Sequence, residues 1–439
     1  MKVRLKLRDL DKKMIIAFWM FIIYIRQGAE YFIGKIAWYA VPLLYLGGVL
    51  TAVFCLKYAP LIRKNRTGTA LLYFLCVAIQ LFWKNFDLAN GKIYNIVCTL
   101  SFFGMFLVFS SVNTDKWVPF LLKCMAIVGA FYSFWTIASY LSPALYKRVY
   151  NVLQRFSVVN LWAYYSKGYI SGLTTHWTAN GIYICVGLLP TACAAFFMKE
   201  TKREKNLWIL LFLSMAISLL LSAKRGHTIF AIASIFATYY FYRSDRPYSR
   251  VINIVFAAIA SVALFLVVAS FIPGVMNVLN RFMEFSVGGD ISNGRDNLQS
   301  DILTYVRNKP LLGNGWLYFP YENRVWNGQY AHNVYLQLLC DTGIVGFLIY
   351  IGFFLNCLFQ SVSTLVRVRK KRAGYTVTNT DEWILCSSVC YQIFFLLYCA
   401  TGNPLYDMNC CFPYYMMCAA ALSIIYNIRK SALFLTTEL

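Results

Sequence analysis

The sequence predicts an all-α polytopic membrane protein of about twelve transmembrane helices, with one large loop on the outer face. Three observations carry this. The chain is 59% hydrophobic, 18% aromatic and 13% charged, whereas soluble domains carry about 25% charged residues. Apolar runs of about 20 residues recur from end to end, each long enough to cross a hydrocarbon core as a helix. The basic residues fall in short tracts between those runs, as expected of loops that set orientation in a membrane.

Taken in order, the spans are expected at about 14–33, 36–56, 67–83, 93–112, 117–141, 179–198, 206–222, 226–242, 251–272, 334–361, 383–402 and 411–428. The first follows a basic leader but no small-residue cleavage site; Arg26-Gln27-Gly28-Ala29-Glu30 comes instead. It therefore reads as an uncleaved helix and not a signal peptide. With Lys2, Arg4, Lys6, Arg8, Lys12 and Lys13 in the cytoplasm, every second connection should be basic. The tracts at 63–66, 199–205, 243–250, 367–372 and 429–430 obey, and only Asp115-Lys116 is indifferent. Both termini are then cytoplasmic. Two longer segments, 142–178 and 273–332, face outward. The chain divides into an N-terminal transmembrane region, 1–178, and a membrane region, 179–439, that carries the large loop.

Composition also excludes several functions. A net charge of +23 would suit nucleic acid, but its scatter into juxtamembrane tracts does not. The fourteen cysteines show no metal or redox spacing and sit mostly within spans, where Cys behaves as a small hydrophobe. Asp9-Leu10-Asp11 has the spelling of a nucleotide-sugar metal motif, yet it lies in the basic leader with no nucleotide-binding fold. Glu30 stands without an acidic partner in the first outer loop. No metal and no cofactor are expected.

The large loop has its own order. Residues 295–307 place Leu298, Ile302, Tyr305 and Val306 on one helical face, and Pro310 and Gly313-Asn314-Gly315 end that helix in a turn. Trp316, Tyr318, Phe319, Tyr321 and Trp326 follow, a rim suited either to stacking on sugars or to an interfacial belt. Cations on the outer face run against the positive-inside bias. Lys224-Arg225 sits in a tight turn between spans, where a cation either snorkels to lipid phosphate or holds another anion. Arg295 lies beside Asp296, which by itself reads as a surface ion pair of little value. His332 precedes Asn333, a good N-cap for the next span. Their shared side is more telling. Arg225 and Arg295 are suited to grip a diphosphate, and a neutral His332 imidazole can accept a hydroxyl proton. Together they suit a lipid diphosphate donor and an alcohol acceptor.

Four segments resemble the bacterial O-antigen ligase and polymerase family of the lipopolysaccharide and capsule pathways. Ser171-Gly172-Leu173 through Asn180 is similar to its Gly-Leu…Asn start of a middle span, and Ser222-Ala223-Lys224-Arg225-Gly226 to its Ser-Arg-Gly turn. Gly294-Arg295 through Pro310-Leu311-Leu312-Gly313-Asn314-Gly315 resembles its Arg…Pro-Leu-Leu-Gly-x-Gly loop. His332-Asn333-Val334-Tyr335-Leu336 with Asp341, Gly343 and Gly346 resembles the His-Asn-x-x-Leu…acid-x-Gly-x-x-Gly stretch. The likeness covers about residues 170–350. It departs at Lys224, where small or polar residues are common, so Lys224 is expected to share the role of Arg225.

The resemblance implies a metal-independent, inverting, GT-C-like glycosyltransferase. Its donor would be an undecaprenyl-diphosphate-linked glycan and its acceptor a glycan or lipid-linked sugar. Catalysis would fall to His332, Arg225 and Arg295, with Lys224, Asn333, Asn180 and Trp316 binding substrate and Asp341 structural. His332 would either orient or deprotonate the acceptor hydroxyl, or give a further phosphate contact. Polymerases and ligases share these motifs; the polymerase is favoured, the ligase next. The rival is a lipid-linked oligosaccharide flippase or other transporter. That would predict pseudo-symmetric halves and mid-membrane ionisable groups, whereas the halves here differ in loop pattern and the chief mid-span cation, Lys123, lies one turn inside its span.

Overall fold

The computed structural model describes residues 16–25, 102–106, 117–198, 201–272, 274–276, 295–322, 328–370 and 377–437, with isolated positions at 13–14, 47, 95, 99 and 109–110. The expected span 67–83, all of 36–56 but residue 47, most of 93–112, the leader with Asp9, the tract 63–66, Asp115-Lys116, Glu30 and Trp326 lie outside the described residues.

Among the described residues the regular structure is helical, with no strand. After a π turn at Phe21–Ile25, the helices are α1 Trp117–Leu141, α2 Pro143–Leu153, α3 Leu161–Ser166, α4 Trp177–Phe197, α5 Lys202–Leu221 and α6 Arg225–Tyr242. Then come α7 Pro247–Phe271, α8 Arg295–Asn308, α9 Tyr318–Glu322, α10 Val334–Arg369, α11 Asn379–Cys399 and α12 Met408–Thr437. Seven of these are long and apolar enough to cross a membrane: α1, α4, α5, α7, α10, α11 and α12. The protein is an all-α, multi-pass membrane protein. The expected span at 226–242 is present as α6, but Arg225 and His227 make its first turn polar and take it out of that apolar set.

Helix ends differ from the expected spans for local reasons. Thr201 accepts from the Glu204 amide while Glu204 accepts from the Thr201 amide, a reciprocal cap that starts α5 at Lys202 inside the basic tract. Thr378 and Asp381 form the same device at the start of α11. Where the sequence pattern sees only hydrophobicity, the cap adds a polar first turn.

The bundle is built around α4, whose apolar stretch is 94% buried and which packs on α1, α5, α6, α11 and α12. Gly129 and Gly187 let α1 and α4 touch backbone to backbone: a Cβ on Gly187 would lie 2.6 Å from the Gly129 Cα. The first span joins this core, for the Tyr132 hydroxyl donates to the Tyr24 carbonyl and the Tyr24 hydroxyl to that of Asn409. By contrast, α7 has no buried residue in its apolar stretch, as suits a helix whose solvent is lipid.

At one end of the bundle Arg369 ties three helices together. It bonds both carboxylate oxygens of Glu382 at 3.0 and 3.1 Å, lies 3.8 Å from Asp245 and covers the Tyr242 ring at 4.1 Å. The basic tracts that close α6 and α10 are at this end. The described residues of the segments 142–178 and 273–332 gather at the other.

There the large loop locks into a break in α10. Gly343 adopts φ 62°, ψ −173°, which frees backbone groups on both sides of the kink. The loop after α8 takes them up: Ile344 N–H donates to Pro310 O (2.8 Å) and Val345 N–H to Leu311 O (3.2 Å). In return Asn314 and Gly315 donate to Cys340 O and Asp341 O at 2.8 and 2.9 Å. A Cβ on Gly343 would stand 2.3 Å from Leu311 C, and one on Gly313 2.5 Å from Asp341 C. The Pro-Leu-Leu-Gly-Asn-Gly turn and the Asp-x-Gly stretch are thus two halves of one joint. Gly343→Ala is expected to destabilise the protein by about 2–4 kcal/mol, from positive φ plus overpacking. Thermal unfolding of detergent-purified protein should show it, and an unchanged Tm would mean that the joint yields.

α8 fills out as the sequence predicts. Leu298 and Ile302 are buried with Phe319, Ala331 and Cys340, and Tyr305 and Val306 pack against them.

Candidate active site

Beside the joint lies a cavity of about 630 Å³. Its wall is assembled from helix starts and from the connection between α11 and α12. His176 precedes α4; Lys224, Gly226 and His227 open α6; Arg295 opens α8; and His332 precedes α10. Thr401, Asn403 and Asp407 come from the connection, with Tyr398 and Tyr406 beside them. All three histidines of the chain line this one space.

Two residues of the wall owe their placement to left-handed backbone. Ala223 at φ 55° turns the chain into Lys224, and His332 itself sits at φ 51°. Such conformations cost of order 1–3 kcal/mol and persist where the surroundings over-determine them. For His332 they do. Asn333 caps α10 by accepting from the Tyr335 and Leu336 amides at 3.0 and 3.2 Å, and the Ala331 amide donates to Gln337 at 3.0 Å. The ring is held with Nδ1 3.4 Å from the Asn403 amide nitrogen. Burial, then Arg295, then Lys224 push its pKa from 6.5 down to about 4, so the imidazole is neutral at physiological pH.

His176 is neutral for similar reasons: burial and then Lys224 bring it to about 4. Its Nδ1 accepts from the Thr178 amide at 3.1 Å, which leaves the proton on Nε2, and its ring stacks on Trp177. The Lys224 ammonium lies 5.7 Å from the Trp177 ring centre. Arg295 is half-exposed, with Nη1 3.5 Å from the Thr401 carbonyl.

Arg225 does not line the cavity. In the tight turn it is Lys224, the N-cap of α6 at φ −92°, ψ 88°, that lines the space. The cations presented by the described wall are therefore Lys224 and Arg295. Asn180 is fully buried below, where its amide donates to Thr136 Oγ1 (2.9 Å) and Ile170 O (3.0 Å). It seats Gly172 (φ 55°), where a Cβ would lie 3.4 Å from its Oδ1. Trp316 is only 6% exposed; its indole N–H donates to Asn95 at 3.1 Å and its ring packs on Tyr350 and Tyr406. No face is left there for a sugar, and Trp316 supports the cavity wall from behind. Asn333 is spent on its cap. Asp341, fully buried, accepts from the Leu317 amide (3.0 Å) and the Tyr406 hydroxyl (3.1 Å), coupling the joint to the cavity.

Sequence reasoning missed His176, His227, Asn403 and Asp407. A signal existed: a chain with three histidines places each next to the end of a span, and Thr401 to Asp407 is a polar stretch at that same end of the bundle. These histidines do not form a metal set, for among the described residues no three of His, Cys, Asp or Glu gather to hold an ion.

Residues 210–351 match the family described as O-antigen ligase. That stretch belongs to the O-antigen ligase family. It is about a third of the chain and holds Lys224, Arg225, His227, Arg295 and His332, while His176 and the 401–407 connection lie outside it. No curated protein matches the chain. The match and the apolar helices together indicate a membrane protein of glycan processing.

Proposed function

We propose that the chain is an inverting glycosyltransferase of the cytoplasmic membrane. It moves an undecaprenyl-diphosphate-linked oligosaccharide onto a sugar hydroxyl at the outer face, with both termini cytoplasmic. Polymerisation of repeat units is the favoured form, and ligation to a terminal acceptor is the next. One observation carries the reading: Lys224, Arg295 and His332, from three separate segments, meet in one cavity beside neutral donors and tyrosine rings.

The acceptor oxygen attacks the anomeric carbon and the bond to the diphosphate breaks. The leaving diphosphate takes the electron pair, so its charge grows. Lys224 and Arg295 meet that charge from fixed positions, which lowers the barrier because the contact strengthens as the bond breaks. The acceptor's proton passes to His332, which its depressed pKa keeps neutral in the unloaded site; the acceptor hydroxyl displaces the long 3.4 Å contact of Nδ1 with Asn403 to reach the lone pair. Tyr330 and Tyr398 line the same cavity, where tyrosine rings can meet the sugars.

The test is conversion of lipid-linked repeat unit to longer product by purified protein in detergent, where no compartment exists and transport contributes nothing. Wild-type protein that binds the substrate but forms no glycosidic bond with any pathway acceptor would end the proposal. Turnover is also expected to persist in excess EDTA, because two side-chain cations meet the diphosphate. Activity lost to EDTA and restored by magnesium or manganese would transfer that role to a metal.

A further inference from the structure

His227 is a group in the cavity wall that the proposed mechanism does not use. It is 3% exposed, and neither ring nitrogen has a hydrogen-bond partner among the described residues. Its ring is held by apolar faces: Tyr398 stands edge-on at 4.6 Å and Phe394 lies at 6.4 Å. Gly181 gives it room, since a Cβ there would come within 3.1 Å of Nδ1. A buried polar group left unsatisfied is costly, and a protein keeps one only where something else completes it. A Phe would fill the same space among Tyr398, Phe394 and Gly181 without that cost.

The surroundings specify the missing partner. His227 is in the first turn of α6, an 18-residue helix whose N-terminus has no side-chain cap. The first backbone N–H groups of a helix have no partner within it, and its dipole favours an anion there. Lys224 and Gly226 line the same wall. Donors and positive charge thus surround a neutral imidazole whose N–H is uncommitted.

We propose that His227 is a substrate-contacting residue, donating its ring N–H to a phosphoryl oxygen seated over the N-terminal turn of α6. This rests on the lipid-diphosphate reading above and adds to it a neutral donor. Two charged contacts neutralise the diphosphate; the imidazole fixes its orientation without adding charge to a wall that already holds Lys224.

The test uses full-length protein in phosphatidylcholine nanodiscs, titrated with undecaprenyl diphosphate, with undecaprenol and with phosphatidylglycerol. His227→Phe is expected to weaken undecaprenyl diphosphate binding about tenfold, the worth of one hydrogen bond to a charged oxygen. His227→Gln, which restores a neutral N–H, should recover to within about threefold. Neither variant should change the weak binding of undecaprenol. Without ligand, His227→Phe should be at least as thermally stable as wild type, because an unsatisfied imidazole is replaced by a ring that needs no partner.

Wild-type affinity retained in His227→Phe would overturn the inference while leaving the proposed function intact. A lower unliganded Tm would also overturn it, by showing that the imidazole already has partners in the protein. Equal loss toward phosphatidylglycerol would assign the contact to bulk lipid headgroups and overturn it too. Wild type that binds undecaprenyl diphosphate no better than undecaprenol would instead sink the lipid-diphosphate reading itself.

Discussion

Arg295→Ala and Lys224→Ala are each expected to lower turnover by about 10²–10³, the cost of one preorganised charge contact to a developing anion. The geometry separates these two from their neighbour. Arg225 is absent from the cavity wall, so Arg225→Ala should cost less than about tenfold and act through the α6 turn. Arg295→Lys should rescue only in part, because an ammonium cannot reproduce the planar guanidinium fork. The reverse change at the other position, Lys224→Arg, should retain more activity if the added length is tolerated beside Trp177. Steady-state assays in detergent with lipid-linked repeat unit would measure all five. Full activity in Arg295→Ala, or a collapse at Arg225→Ala with Lys224→Ala unaffected, would refute the assignment of the cations. The losses should fall mainly on kcat, since the contacts strengthen as the glycosidic bond breaks.

Much of this architecture was legible in the sequence because hydrophobic length and charge placement are strong signals in a membrane. The long helices from 117 onward, the α8 face of Leu298 and Ile302, and the Asn333 cap follow from periodicity and local chemistry, whereas the short helices α2, α3 and α9 do not. What the sequence could not show is which side chain of a polar turn faces inward. Lys224 and Arg225 are adjacent, and only the left-handed Ala223 decides that the lysine meets the cavity. Trp316 and Asn180 illustrate a second limit. Asn180 lies in a segment that resembles a functional motif and Trp316 directly after one, yet each is committed to packing, one to Thr136 and the Gly172 turn, the other against Tyr350 and Tyr406. The Gly343 joint explains why: much of that motif is the hardware that docks the loop onto α10, and chemistry is left to the few residues it presents. His176 and His227 were missed because a histidine at a span end looks like a cap until three of them share one space.

His332→Ala is expected to lower turnover by about 10²–10⁴ if the imidazole takes the acceptor proton, and pH separates this from a phosphate contact. The folded-state pKa of about 4 is depressed from 6.5 by burial first, then by Arg295 and Lys224. Because that pKa lies below the working range, the ring is neutral from about pH 5 upward. A base of this kind gives kcat/KM that is flat over neutral pH and falls only as the pH drops through about 4, where the ring protonates. Arg295→Gln removes the second cause of the depression. With less positive charge nearby the protonated ring is better tolerated, so the acid limb should move up toward 6.5 even as overall activity falls. The deficit of His332→Ala should shrink as pH rises, since the acceptor hydroxyl then needs less help. A residue that instead binds phosphate as an imidazolium would show wild-type activity declining between pH 5 and 7 as its proton is lost. His332→Gln distinguishes the two again, because an amide can position a hydroxyl or touch a phosphate but cannot accept the proton. Near-wild-type turnover in that variant would remove His332 from the chemical step and leave it as a positioning residue held by Asn403.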